Sequence, residues 1–102
     1  MQRRAGGVSL NNYRIFETEE FLKKFEKLDG SDKAFVKDKL FSYVYPQLRV
    51  EPYFGKNVKK LKGYVPDTWR YRVGKFRIFY TIEQEDGIIF ILTMDHRKDA
   101  YR

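Results

Sequence analysis

The stretch Trp69-Arg70-Tyr71-Arg72-Val73-Gly74-Lys75-Phe76-Arg77-Ile78-Phe79-Tyr80 decides the fold. Two runs in which apolar and basic residues alternate flank a Gly-Lys break. Glycine takes φ > 0 freely at the first position of a type II′ turn, so Gly74-Lys75 reads as a two-residue hairpin loop. That loop sets Val73 opposite Phe76 and Arg72 opposite Arg77. Because side chains alternate faces with period two, Arg70 joins Arg72 and Arg77 on one face. Like charges directly opposite on a ladder are destabilising. A face that gathers three guanidiniums therefore points to an anionic ligand.

Outside the hairpin, composition narrows the answer. A chain of 102 residues with 42% hydrophobic and 18% aromatic content supports one packed domain rather than disorder. The net charge is +7, and the excess is local: between Lys56 and Arg77, eight lysines and arginines stand against one acid, Asp67. Such a patch suits a polyanion or an acidic protein partner. The absence of cysteine excludes disulfides, thiol nucleophiles and cysteine-ligated zinc, and one histidine cannot build a multi-histidine metal site. No metal or cofactor is expected. No apolar run approaches membrane-spanning length. Residues 1–12 carry Arg3 and Arg4 without the apolar core of a signal peptide and read as a flexible basic leader to a single domain over 13–102. A cytoplasmic protein is the expectation.

Working towards the N-terminus, Tyr13 to Phe16 is a strand candidate, and Thr18 can cap a helix whose first turn holds Glu19 and Glu20. Phe21, Leu22, Phe25 and Leu28 recur at helical spacing up to the Asp29-Gly30 break. A second helix, from Ser31 or Asp32, carries Phe35, Val36, Leu40, Tyr43 and Val44 and is expected to stop at Pro46. Gln47 to Asn57 reads as a loop and Val58 to Leu61 as a weak strand. Strands over Thr68 to Val73, Phe76 to Glu83 and Ile88 to Met94 follow, the last two joined at an Asp86-Gly87 turn. The order predicts an α+β fold: an N-terminal strand, then a two-helix antiparallel hairpin packed on one face of a three- to four-stranded antiparallel sheet. Trp69, Tyr71, Val73, Ile78, Tyr80 and Ile82 form its core row. A two-residue turn at Asp86-Gly87 would add Ile89, Ile91 and Thr93 to that row. It would place Phe90, Leu92, Met94 and His96 on the arginine face, with His96 opposite Arg77. A four-residue turn would shift the pairing by two and keep the same faces.

These residues resemble the RelE/ParE superfamily of bacterial and archaeal toxin–antitoxin toxins, and within it the RelE-like messenger-RNA endoribonucleases. The likeness runs over 13–102. It rests on Phe25-Glu26-Lys27-Leu28, Lys60-Leu61-Lys62-Gly63, the hairpin, and His96-Arg97-Lys98-Asp99-Ala100-Tyr101-Arg102. The resemblance implies metal-free cleavage of mRNA in the ribosomal A site, with attack of the 2′-hydroxyl on the adjacent 3′-phosphate. It implies Arg77 as the arginine stabilising the phosphate, Arg97 as a second phosphate-binding arginine, and Tyr101 as a C-terminal tyrosine acting on the nucleotide. It also implies a small antitoxin as protein partner, with mRNA on the ribosome as target. Lys60, Lys62, Arg70, Arg72 and Lys75 complete the expected phosphate-binding set.

One departure from the family pattern has chemical consequences. Arg70 and Arg72 stand where the family often has lysines, and arginine stays protonated in proteins. Proton transfer must then come from another group, and His96 is the candidate. The same fold also serves ParE-like poisons of DNA gyrase, which hydrolyse nothing, and a homologue that keeps only antitoxin binding is a third reading.

Overall fold

The computed structural model describes residues 12–96; residues 1–11 of the expected leader, Arg97 and Tyr101 lie outside them. Strand β1 (Arg14–Glu17) leads to helix α1 (Glu19–Glu26) and then α2 (Gly30–Lys39). A π-helical turn (Leu40–Val44) and α3 (Tyr45–Val50) continue the α2 rod, and β2 (Val58–Lys60), β3 (Trp69–Val73), β4 (Phe76–Glu83) and β5 (Ile88–His96) follow. The sheet has five strands, in the order β1-β5-β4-β3-β2. It is mixed: β1 joins its edge parallel to β5, whereas the other pairings are antiparallel.

The helix starts follow from local chemistry. Thr18 Oγ1 accepts the Phe21 N–H at 3.2 Å, and Asp29 Oδ1 accepts the Asp32 N–H at 2.8 Å, each satisfying a donor that a helix start leaves open. Pro46 does not end the second helix, and Gln47–Val50 are helical rather than loop. The Tyr45 N–H reaches back five residues to the Leu40 carbonyl. That wide turn lets the rod resume with Pro46 in the first turn of α3, where a missing N–H leaves nothing unsatisfied.

The helices cover one sheet face. Phe21, Val36, Leu40, Val44, Tyr45 and Leu48 pack on Trp69, Tyr71, Val73, Phe76, Ile78, Tyr80, Ile89, Ile91 and Met94, all buried. The expected row over β3 and β4 is therefore the core. Two buried phenols tie its polar ends. Tyr45 Oη donates to Glu17 Oε2 at 2.6 Å, and Tyr80 Oη donates to the Pro52 carbonyl at 2.7 Å. Burial first, and then the Glu17 carboxylate, push the Tyr45 phenol far above the ordinary tyrosine range. Burial does the same to Tyr80. Folding thus favours the protonated phenols, a stabilisation fully present below the unfolded value of about 10 and lost as pH rises beyond it. Stability measured by urea unfolding should accordingly fall as pH rises above about 10, and Tyr45→Phe with Tyr80→Phe should flatten that decline.

Strand β5 departs from the expected alternation. Four residues, Gln84 to Gly87, make its turn, so Glu83 pairs with Ile88 and Tyr80 with Ile91. A bulge then inserts Leu92, and Phe79 pairs with Thr93, Ile78 with Met94, Arg77 with Asp95 and Phe76 with His96. One extra residue exchanges the two faces beyond it. Thr93 leaves the core row, Met94 enters it, and His96 turns from the arginine face to the helix-covered face. The bulge has a tertiary anchor. Thr18 Oγ1 lies 2.8 Å from the carbonyls of both Ile91 and Leu92, so the residue that caps α1 also holds the displaced backbone.

Candidate nucleic-acid interface

The Gly74-Lys75 loop builds the site. Gly74 takes φ 58°, in the left-handed region. The pairing is Val73 with Phe76, Arg72 with Arg77 and Arg70 with Phe79. The Arg72 N–H donates outward to the Asn57 carbonyl at 3.0 Å, so Arg72 and Arg77 form a non-hydrogen-bonded pair, the kind whose side chains come closest. On the other side of β3, Lys59 pairs with Arg70. The open sheet face therefore carries Lys59, Arg70, Arg72 and Arg77 across three adjacent strands. They line a shallow concavity of about 330 Å³ with Leu61 and Phe79 as its apolar walls. No carboxylate lines it among the described residues. Convergent cations beside an aromatic ring offer phosphate and base contacts at once.

The other expected site residues lie elsewhere. Lys60 points to the opposite side: its Nζ sits 5.8 Å from the centre of the Trp69 ring and 3.3 Å from Asp67 Oδ2. Lys62 is exposed beyond the end of β2 and does not line the concavity. Lys75, in the turn, is 3.6 Å from Asp32 Oδ1 and stands over the Phe76 ring. His96 packs edge-on against Phe76, 5.1 Å between ring centres, in a hollow with Lys24, Lys27 and Leu28. It does not share the arginine face. Asp95 takes the place opposite Arg77, and its Oδ1 accepts from Lys24 Nζ at 3.4 Å. Arg97 and Tyr101 lie outside the described residues.

Lys59 is the lining cation missing from the expected set, and Leu61 and Phe79 are its apolar additions. Lys59 and Lys60 are adjacent, and only the pairing of β2 with β3 tells which of them shares a face with Arg70. Pairing parity is the signal that identifies it.

The sequence matches the model of the ParE toxin of type II toxin–antitoxin systems over residues 15–101. It is 39% identical over 46 residues to a Methanocaldococcus jannaschii protein named as a RelE1 toxin. That match covers 45% of this chain, and the chain spans about half the length of that relative, 50%. Among solved structures, the archaeal RelE–RelB complex from Pyrococcus horikoshii superposes with a TM-score of 0.65 at 25% identity, covering 84% of this chain and 96% of that one. The toxin–antitoxin complex RelBE2 from Mycobacterium tuberculosis gives 0.66 at 28%, covering 84% and 99%. With the hairpin, the one-sided helical layer and the family match over the same residues, the chain belongs to the ParE toxin family of type II toxin–antitoxin systems, within the RelE/ParE superfamily.

Proposed function

We propose that this protein is a toxin that cleaves mRNA on the ribosome without a metal, acts in the cytoplasm, and is neutralised by a small antitoxin protein. The observation that carries the reading is the gathering of Lys59, Arg70, Arg72 and Arg77 around one concavity on the open sheet face. Arginine forks suit phosphate oxygens, and cations already in place favour the charge that builds on the non-bridging phosphate oxygens as the 2′-oxygen attacks, the P–O5′ bond breaks and the 5′-oxygen leaves with a proton. Phe79 offers a ring for a ribose or base. The two superposed relatives are toxin–antitoxin complexes, which supports an antitoxin partner here.

Because His96 pairs with Phe76 and faces the helices, we propose a different proton carrier. The arginines stay charged, and among the described residues Lys59 is the one group lining the concavity that can exchange a proton. Tyr101 is the second proton carrier in this proposal, on the family resemblance. Lys59→Arg keeps the charge but cannot give up its proton, so single-turnover cleavage should fall about 10²-fold or more while RNA affinity holds. His96→Gln, on the other face, should cleave as wild type does. The reverse pattern would return the proton to His96.

The family model names ParE, which favours one second reading: a gyrase poison with no hydrolytic step. A translation reaction with purified protein, followed by primer extension on the mRNA, separates the two. Discrete mRNA cuts support the nuclease. Intact mRNA with inhibited supercoiling by gyrase would establish the alternative.

A further inference from the structure

A second cavity, of about 590 Å³, lies between the helical rod and the Gly74 hairpin, at the end of β3 where β2 has stopped. That volume lies within the ordinary range for small-ligand clefts, about 300–1,000 Å³. Phe35, Lys39 and Tyr43, spaced one helical turn apart along the rod, form one wall, and Lys56, Asn57 and Arg72 contribute from the sheet side. The Lys39 ammonium sits between two rings, 5.6 Å from the centre of Phe35 and 5.0 Å from that of Tyr43. Cation–π contacts hold it in place without neutralising it. Tyr43 is 60% exposed, a large ring left unburied on a rod whose Val36, Leu40 and Val44 reach the core. Phe35 is pinned more firmly. A Cβ on Gly74 would come within 3.0 Å of its ring, so the hairpin glycine serves both the left-handed turn and this contact. No carboxylate lines the cavity among the described residues.

We propose that this cavity is a subsite for one nucleotide of single-stranded RNA, with the base stacked on Tyr43 and its phosphate held by Lys39, Lys56 and Arg72. Arg72 is common to the linings of this cavity and of the arginine concavity, so the two meet at the same edge of β3 and one strand can run from one to the other. A nucleotide uses the ring faces and the cations together, and the Asn57 amide can meet a base edge. An acidic peptide would use the cations and leave the rings unstacked. The subsite rests on the reading of the arginine concavity as an RNA site.

The test uses a 2′-O-methylated hexaribonucleotide, which cannot be cut by 2′-hydroxyl attack, titrated into the whole protein and followed by backbone amide NMR. Amides of Asn57 and Gly74 should shift together with those of Arg77 and Phe79. Tyr43→Ala should weaken binding about 5- to 150-fold, the range for removing one base–aromatic stack, and Tyr43→Phe should restore it. Shifts confined to Arg77 and Phe79, with Tyr43→Ala binding as wild type, would overturn the subsite and leave the concavity reading intact. No shift in either region would overturn both. A hexaglutamate peptide that moves the same amides with equal affinity, and is equally weakened by Tyr43→Ala, would replace RNA by an acidic polypeptide.

Discussion

Arg77→Ala is expected to abolish toxicity on induced expression and to slow single-turnover mRNA cleavage about 10²–10³-fold, the cost of removing one aligned donor from an electrostatic site. Arg77 stands in the middle of the cationic cluster, opposite Arg72 on one neighbouring strand and Asp95 on the other. Its side chain belongs to the open face, while Phe76 and Ile78 on either side of it are buried in the core. The fold should therefore survive the change, with Tm shifted by less than about 5 °C, the equivalent of under about 1 kcal/mol in a domain of this size. Circular dichroism and thermal melting check that half of the expectation. A fully toxic, folded Arg77→Ala protein would remove Arg77 from the mechanism. Loss of toxicity accompanied by unfolding would assign the side chain a structural role instead.

Arg72→Glu should move stability and function in opposite directions. In the wild type, Arg72 and Arg77 face each other as a like-charged pair whose repulsion costs about 0.2–1 kcal/mol. Glutamate turns that pair attractive, and Arg72 is solvent-exposed, so the change disturbs no packing. Tm should rise by a few degrees, up to about 8 °C. RNA affinity should fall at least about tenfold, since a charged hydrogen bond to phosphate contributes about 1.5–3 kcal/mol. The salt dependence of binding should also flatten by about 0.7 in log K against log salt for each phosphate that the variant no longer neutralises. A variant that is more stable and binds RNA as tightly as wild type would show that the arginines are not paired against an anion. A less stable variant would show that the two guanidiniums do not repel in the folded protein.

Much of the fold is legible in the sequence because it is local. A two-residue loop forces its own register, so Val73 with Phe76 and Arg72 with Arg77 follow from Gly74 and Lys75 alone. Period-two alternation then names the buried row over β3 and β4 as well as the arginine face behind it. Helix caps at Thr18 and Asp29 are equally short-range; the first stands where the sequence puts it, and the second moves a boundary by a residue or two. The parallel seat of β1 beside β5 is not legible, because the two strands lie about seventy residues apart and no turn connects them.

The site divides along the same line. Arg70, Arg72 and Arg77 meet because they share one hairpin, and the chain carries that arrangement in its own alternation. Lys59 rather than Lys60 joins them because β2 pairs with β3 across the intervening loop, which leaves the parity of two adjacent lysines undetermined until the strands dock. His96 leaves them because one extra residue in β5 reverses every side chain beyond it, and Thr18, at the start of a helix far away in sequence, holds the bulged carbonyls. The helical rod crosses Pro46 because a single turn widens to accommodate it. Spacing within a hairpin sets geometry through a few bonds. A bulge, a strand register or a widened turn is chosen only when distant segments compete for the same hydrogen bonds and the same buried space, which is why tertiary structure alone decided them.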